Sequence, residues 1–362
     1  MKAAQETKSG KRSGALDFLK IIGTILILLM HYQQMMEVKF PSGPNFYDGG
    51  FNWGNVVEFF FVISGFVMLP KIIRIRNGED SGFCDFIGKR LLRFAPMMAL
   101  TALCYELISL FMIKHYGDYS SWCCISPWGI VQNTLCIQSG WGMIEMPLNT
   151  PTWYISVLMF CYVLLYFTTK LCGKYKKTPM PVYIALVILG VGINLHQLNL
   201  PFLNSGMGRG YSAFFTGVIM AELFDRYEMH GTVQIIFSLL IFVLTVCGLI
   251  FDTASMTFLL YPALLIVFTT KRMDKLFSAK LWNTLGRIQF HAYVWHAVIL
   301  LGLRLLVWTG HAPEYNSRLT MFAFVIFTEL WAAFSCRVLE RPAEKLFRKL
   351  LPKKKTVLED IQ

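Results

Sequence analysis

Long apolar windows constrain this chain more than any other feature of its sequence. Windows of roughly 20 residues, the length needed to cross the hydrocarbon core of a bilayer, recur along the 362 residues. They lie at about 15–36, 53–70, 92–113, 152–170, 181–196, 209–225, 233–251, 254–270, 289–308 and 319–337. Only 15% of the residues are charged, whereas a soluble domain usually has about 25%. The sequence therefore predicts an all-α, polytopic integral membrane protein with about ten transmembrane helices in one bundle.

The distribution of Lys and Arg predicts the orientation of these helices. Basic residues of multi-span proteins concentrate in cytoplasmic loops, and a cytoplasmic N-terminus places 29 of the 34 on the inner side. The prediction is a cytoplasmic tail at 1–14, a ten-span membrane domain at 15–347 and a basic cytoplasmic tail at 348–362, with both termini cytoplasmic. The net charge of +12 then reflects loops beside anionic lipid. The lipid bilayer is an expected partner, and nucleic acid is not.

The nine cysteines show no Cys-x-x-Cys spacing, so the sequence predicts no metal site. Cys123, Cys124 and Cys136 fall in one polar loop on the predicted outer side. A disulfide among them depends on whether that loop faces an oxidising space, which the sequence leaves open.

The first window, LDFLKIIGTILILLMHY (16–32), carries a polar stripe along one helix face. At 100° per residue, His31 lies about 20° from Lys20 around the helix, Thr24 about 40° and Asp17 about 60°. An unpaired ionisable group facing lipid costs several kcal/mol, so this face must line a bundle interior or a water-filled cavity. His31 lies about 16 Å along the helix from Lys20. Histidine accepts and returns protons near neutral pH, although a structural buried histidine is the alternative.

Two further polar residues occur in the second window. Glu58 in VVEFFF lies at a depth similar to that of His31 if the two helices are antiparallel neighbours. It can then hold the imidazole in one tautomer, as the acid of a hydrolase triad does; the alternative is a structural partner for Arg304 or Lys39. Ser64, in the pair Ser-Gly, is typical of close helix contact rather than of a nucleophile.

Basic and histidine residues mark two later segments. Arg90 and Arg93 in GKRLLRFAP share a helix face at the inner boundary, where they either anchor the topology or clamp phosphate oxygens. In FHAYVWH (290–296), His291 and His296 lie about 140° apart around the helix, so they are not expected to act as a pair. His296 is the deeper of the two and the better candidate for lining a cavity.

These segments resemble the membrane acyltransferase 3 family, many-span enzymes that acylate surface carbohydrates and related acceptors. The resemblance covers about residues 15–347. It rests on six ordered motifs, which read here as Lys20-x10-His31, FFFVISGFVM, KRLLRFAP, TPTWYISVLMFCY, AYVWH and LERPAEKL. Two positions depart from the commoner pattern, because Lys20 replaces arginine and Leu158 stands where another branch of the family carries glutamate.

The resemblance implies an O-acyltransferase that moves an acyl group, with acetyl as the first choice, from cytoplasmic acyl-CoA to a carbohydrate or cell-envelope hydroxyl outside. It implies no bound cofactor, since acyl-CoA is a co-substrate. His31 would be the catalytic base with Glu58, and Lys20, Arg90 and Arg93 would bind the acyl-CoA phosphates. The cavity-lining candidates are Asp17, Ser64, Trp153 and His296.

A second reading of the same polar stripe is a transporter of a small solute, because alternating access also uses polar groups near the midplane. The first and last five windows show no internal repeat, which favours the enzyme. A bacterial inner membrane is the expected location. Direct transfer and a covalent acyl-enzyme both remain open, as does the oligomeric state.

Overall fold

The computed structural model describes residues 13–49, 53–117, 126–141, 148–227, 231–246 and 252–350. The predicted tails therefore lie almost wholly outside the described residues, as do Cys123 and Cys124. Within those ranges the chain is helical, apart from loops and one antiparallel ladder that pairs β1 (Asn199–Leu200) with β2 (Leu203–Asn204).

The helices follow one another in the order of the predicted windows. They are α1 (Gly14–Met36), α2 (Val56–Phe66), α3 (Leu69–Arg76), α4 (Phe83–Tyr116), α5 (Pro127–Leu135), α6 (Trp153–Lys174), α7 (Met180–Leu195), α8 (Ser205–Arg226), α9 (Gly231–Val246), α10 (Thr253–Phe268), α11 (Lys271–Leu276), α12 (Lys280–Trp308), α13 (Arg318–Phe334) and α14 (Glu340–Leu350). A π-helical turn at Ser335–Leu339 joins α13 to α14, and another lies within α10.

Among the described residues, five helical segments are long and apolar enough to cross a membrane, namely Gly14–Met36, Phe83–Tyr116, Thr150–Lys174, Lys280–Trp308 and Arg318–Lys349. A sixth is added if α2 and α3, bent by 42°, form one broken span. These helices make the chain a multi-pass membrane protein. The other four predicted windows also fall on helices, but α7, α9 and α10 are shorter and α8 is not apolar enough, so the count of ten spans stays a prediction.

Side-chain capping fixes where several of these helices begin. Ser13 accepts a hydrogen bond from the Leu16 amide at the start of α1, and Asn204 accepts one from the Met207 amide at the start of α8. Such residues satisfy backbone donors that have no partner within the first turn. Asn204, one of the polar residues between α7 and α8, thus marks where α8 begins.

Helices α1 and α12 pack side by side and run in the same direction. The buried Asp17 side chain lies against Gly286, where an added Cβ would be 2.6 Å from the Asp17 Cβ. At the opposite ends of both helices, Arg304 Nη1 donates to the Met35 carbonyl oxygen over 2.7 Å. The polar stripe of α1 therefore faces a neighbouring helix rather than lipid along much of its length.

Helix α4 is parallel to α12 as well. Phe94 contacts Phe290 with ring centroids 5.3 Å apart, and Tyr116 contacts Trp308 at 5.7 Å. Helices α1, α4 and α12 consequently begin at the same end of the bundle. This is the arrangement expected if they are the first, third and ninth spans of an alternating series.

Helices α2 and α8 also run parallel, in very close contact. A Cβ added at Gly217 would overlap the Val62 carbonyl group, and one added at Gly65 would overlap the α8 backbone. Farther along, Arg76 Nη1 donates to Glu222 over 3.1 Å. The Ser-Gly pair of the second window thus includes a glycine that permits helix contact, as its sequence indicates.

Candidate active site

Two histidines from neighbouring parallel helices meet inside the bundle. His31 Nδ1 of α1 lies 3.0 Å from His296 Nε2 of α12, and the two rings stack with centroids 4.9 Å apart. His296 is fully buried, whereas His31 keeps part of its surface exposed. A fully buried imidazole therefore supports one that is partly exposed.

Hydrogen bonding assigns the protons of this pair. His296 Nδ1 lies 2.5 Å from the Tyr293 carbonyl oxygen, which can only accept, so Nδ1 carries the hydrogen. The Nε2 of a neutral His296 is then an acceptor, and His31 Nδ1 must donate to it. A neutral His31 consequently presents an unprotonated Nε2, which is the nitrogen that a general base uses.

The segment before α6 holds α12 in place beside His31. Asn149 Nδ2 donates to the Val294 carbonyl oxygen over 3.1 Å, and the Tyr293 hydroxyl donates to the Pro151 carbonyl oxygen. The Tyr154 ring packs edge-on against Tyr293, with centroids 5.9 Å apart. The TPTWY motif thus contacts the residue whose carbonyl oxygen orients His296.

The predicted contact between Glu58 and His31 is wrong. Glu58 is buried and binds Arg209 of α8 with both carboxylate oxygens, at 2.5 Å from Nε and 2.8 Å from Nη2. Arg209 also donates to the Gly54 carbonyl oxygen and stacks on Trp153, with Cζ 4.9 Å from the ring centroid. The carboxylate goes to Arg209 because a guanidinium fork matches its two oxygens and neutralises its charge.

The alternative partners considered for Glu58 are also engaged elsewhere. Arg304 pairs with Glu37 over 3.1 Å, and Lys39 pairs with Asp48 over 3.0 Å. Arg209 opens the sixth window as an intramembrane cation, and such a residue requires a partner. That signal was present in the sequence, but nothing in it identified which of the intramembrane carboxylates would be the partner.

Ser64 belongs to a hydrogen-bonded group between α2 and α6. Its hydroxyl lies 3.0 Å from the Tyr154 hydroxyl, which donates to the Phe60 carbonyl oxygen over 3.1 Å. Since Tyr154 also packs on Tyr293, Ser64 connects to the histidine pair through two tyrosines. Both Ser64 and Trp153 are partly exposed.

Lys20 and Asp17 form an ion pair at the beginning of α1. Lys20 Nζ lies 3.5 Å from Asp17 Oδ1, and Asp17 is fully buried whereas the Lys20 side chain is 26% exposed. The aspartate therefore restrains a lysine whose ammonium group remains in reach of solvent. This pair occupies the same end of the bundle as the start of α12, through the contact between Asp17 and Gly286.

The two arginines of α4 differ in their surroundings. Arg90 is largely enclosed: it donates to the Phe86 carbonyl oxygen over 2.7 Å, and its Cζ lies 3.6 Å from the Phe86 ring centroid and 4.4 Å from that of Tyr162. Arg93 is exposed. They lie at the end of the bundle where Lys20 is found, but only Arg93 presents an open guanidinium group.

Cys136, the described member of the three loop cysteines, is a buried free thiol whose pKa burial raises to about 12. Cys136 therefore takes no part in the disulfide considered for this loop, and Cys123 and Cys124 lie outside the described residues.

Comparison with known proteins gives one match. A family profile described as an acyltransferase domain matches residues 13–337, nearly the whole chain. The match includes every motif discussed above except the closing LERPAEKL. Searches of curated proteins and of solved structures find no match.

Proposed function

Since this chain belongs to the acyltransferase 3 family, we propose that it transfers an acetyl group from cytoplasmic acetyl-CoA to a hydroxyl of a carbohydrate or cell-envelope acceptor on the outer side. Membership of the family makes it a membrane acyltransferase. Donor, acceptor, O-acyl specificity and the catalytic residues are parts of the proposal.

The observation that carries the proposal is the hydrogen-bond series from the Tyr293 carbonyl oxygen through His296 to His31. It fixes the tautomer of His31 with Nε2 unprotonated, and it stabilises the positive charge that His31 acquires when Nε2 takes a proton. An orienting partner of this kind is a feature that general-base histidines share, and it supports that role for His31.

In direct transfer, His31 Nε2 removes the proton from the acceptor hydroxyl as its oxygen attacks the thioester carbonyl carbon. The carbon–sulfur bond then breaks, and the CoA thiolate takes up the proton from the imidazolium. The products are an ester and free CoA. In the covalent route, Nε2 attacks the thioester carbonyl carbon, the carbon–sulfur bond breaks and CoA leaves as the thiolate. The hydroxyl oxygen then attacks the acyl-imidazolium, the bond from carbon to Nε2 breaks, and the hydroxyl proton neutralises the thiolate, so both routes depend on the same nitrogen.

The donor is proposed to enter at the end of the bundle where α1, α4 and α12 begin. Arg93 and Lys20 would hold the CoA phosphates there, since both keep exposed cationic groups. Arg90 is proposed to form part of the wall of this entrance, because aromatic rings enclose its guanidinium group. Its contribution to phosphate binding would be smaller than that of Arg93. The thioester arm would extend along the polar face of α1 toward His31.

The acceptor is proposed to approach from the opposite side, near Arg209. Arg209 stacks on Trp153, which is followed in the chain by Tyr154, the residue whose ring packs against Tyr293. Glu58 would act as a positioning residue that holds Arg209, in place of the direct contact with His31. Ten spans, both termini cytoplasmic and a bacterial inner membrane complete the proposal, and the shared direction of α1, α4 and α12 supports the alternation of spans.

Inverted membrane vesicles test the reaction and its sidedness together. Vesicles from cells that produce the protein receive acetyl-CoA labelled in the acetyl group on their outer, formerly cytoplasmic, face. We expect label in alkali-labile esters on luminal carbohydrate, and none in vesicles without the protein. Label that enters the lumen only as acetate or another small solute would instead support the transporter.

A further inference from the structure

Three side chains with metal-binding atoms meet near the start of α12, apart from the histidine pair. They are His291 of α12 with Cys336 and Glu340 around the junction of α13 and α14, and their ligand atoms all lie within 4.8 Å of one another. His291 Nε2 is 3.6 Å from Glu340 Oε2, and Cys336 Sγ is 3.5 Å from the same oxygen. His291 is buried, and the other two are partly exposed.

A π-helical turn contains one of these side chains and ends beside another. The Glu340 amide donates to the Ser335 carbonyl oxygen five residues earlier, so Ser335–Leu339 form one widened turn. Such turns within α-helices are rare and occur frequently at functional sites. Here the turn directs both Cys336 and Glu340 toward His291 on the neighbouring helix.

Ser335 orients the imidazole of His291. Its hydroxyl oxygen accepts from Trp295 Nε1 over 2.9 Å and lies 3.6 Å from Met97 Sδ. The same oxygen is 2.9 Å from His291 Nδ1. When Nδ1 is the donor in this contact, the lone pair of His291 is on Nε2, facing Glu340. A hydrogen bond from the second nitrogen is how proteins orient metal-binding histidines.

In that tautomer Nε2 and the Glu340 carboxylate oxygen are both acceptors, so a metal ion between them makes the contact favourable. A tetrahedral zinc ion with nitrogen and oxygen ligands at about 2.0–2.2 Å and sulfur at about 2.3 Å separates its ligand atoms by about 3.3–3.6 Å. The distances from Glu340 to His291 and to Cys336 fall at this spacing.

We propose that His291, Cys336 and Glu340 bind one zinc ion. A nitrogen, a thiolate and a carboxylate together suit zinc better than magnesium or calcium, which prefer oxygen alone. Thiolate and carboxylate supply two negative charges that balance the dication. This site is independent of the proposed transfer reaction, because the histidine pair does not take part in it.

Three protein ligands leave the fourth position of a tetrahedral zinc ion open. The surroundings are basic, because Arg93 interacts electrostatically with His291, and Arg287 and Arg337 do so with Cys336. These charges oppose a dication and favour an anion such as hydroxide as the fourth ligand. Since Arg93 is also proposed to bind the donor phosphates, the zinc site lies at the end of the bundle where acyl-CoA is proposed to enter.

Sequence spacing could not predict this site. Cys336 and Glu340 lie 45 or more residues from His291 along the chain, and no paired cysteines accompany them. The expectation of no metal site came from the lack of Cys-x-x-Cys. The proposal departs from it because packing of α12 against α13 and the π-helical turn assemble the ligands.

Metal analysis of the full-length protein provides the test. The wild type and two variants are purified in detergent, loaded with zinc sulfate, dialysed against zinc-free buffer and measured by plasma mass spectrometry. We expect one zinc ion per chain in the wild type and in Cys172→Ala, whose thiol is a partly exposed control, and a loss of that zinc in Cys336→Ala. No bound zinc in the wild type, or equal zinc in both variants, would overturn the proposal.

A second measurement needs no variant and so does not depend on one that folds. Maleimide labelling of the zinc-loaded wild type is followed at each cysteine by peptide mass spectrometry, with and without a zinc chelator. Chelation should speed labelling of Cys336 at least several-fold and leave Cys172 unchanged. Equal rates at Cys336 under both conditions would show that only a proton lies between His291 and Glu340.

Discussion

The proposed role of His31 as general base depends on His296, a partner that could not be identified from the amino-acid sequence. The polar stripe of α1 predicted that His31 faces the bundle interior, because helical periodicity converts spacing into direction. The nearest neighbour on that face depends on which helix packs there, and α12 lies more than 240 residues later in the chain. Glu58 was a reasonable expectation from depth alone, and Arg209 binds it because charge neutralisation outweighs proximity.

Replacing His296 tests the tautomer argument. His296→Phe removes the acceptor for His31 Nδ1, so the two tautomers of His31 become comparable and its imidazolium loses a partner. We expect kcat to fall by roughly 10- to 100-fold with little change in KM for acetyl-CoA, and the pH profile of kcat to move. His311→Phe, at an exposed loop position, serves as the control. An unchanged kcat and pH profile in His296→Phe would remove His296 from the mechanism.

Replacing Arg93 tests whether the basic motif KRLLRFAP binds the donor phosphates or only anchors the topology. Arg93→Ala should raise KM for acetyl-CoA several-fold and leave kcat nearly unchanged, because an exposed guanidinium contributes to binding of the donor phosphates in ground and transition states alike. The increase should shrink at high salt, since exposed charges are screened. Lys177→Ala, another exposed basic residue, is the control. Equal KM values in all three proteins would leave Arg93 as a topology anchor.

At the scale of elements, the windows located the helices but not the contacts between them. Each predicted window falls on a helix or on the bent pair α2 and α3, because apolar length is a local property of the sequence. The bend between α2 and α3 lies directly before Pro70, in the first turn of α3, which has no amide hydrogen with which to continue α2. The π-helical turn after α13 has no such local signal. The bend and the turn place Met68 against Arg90 and Cys336 near His291, which no periodicity indicated.

The contact between α2 and α8 predicts a large effect of one methyl group. Gly217→Ala places a Cβ on the Val62 carbonyl group, so the helices must separate, at a cost of about 1–3 kcal/mol. Gly192→Ala in α7, where an added Cβ meets nothing within 4 Å, should be neutral or slightly stabilising. Thermal unfolding midpoints in detergent compare the two. A Gly217→Ala protein as stable as Gly192→Ala would contradict the packing described for α2 and α8.

At the scale of the whole molecule, Lys20, Arg90 and Arg93 lie at the end of the bundle where α12 begins. The histidine pair lies nearer the other end of α1 and α12. The distribution of basic residues predicted this polarity, because positive charges stay on the cytoplasmic side. The pairing of α1 with α12, and hence the position of the site, was not predictable, since contacts between distant helices depend on packing that composition does not encode. The sequence thus predicted the class of protein and the basic end of the bundle, but not which helices pack together around His31.

Thiol labelling in intact cells checks the proposed orientation of the bundle. Cys84 is exposed near the start of α4, on the proposed cytoplasmic side, so a membrane-impermeant maleimide should label it only after the membrane is opened. A thiol introduced by Ser42→Cys, in the exposed loop after α1, should react in intact cells. The reverse pattern would invert the topology and with it the proposed side of the donor.

The most direct test of the central claim compares the wild type with His31→Gln and with the exposed control His311→Gln. The three proteins are purified in detergent and matched for thermal unfolding, and release of free CoA thiol from acetyl-CoA is measured with a carbohydrate mixture present. The account predicts turnover in the wild type and in His311→Gln, and a loss of at least 100-fold in His31→Gln, within the range that general-base catalysis supplies. Turnover in His31→Gln equal to that of the wild type would contradict His31 as the catalytic base.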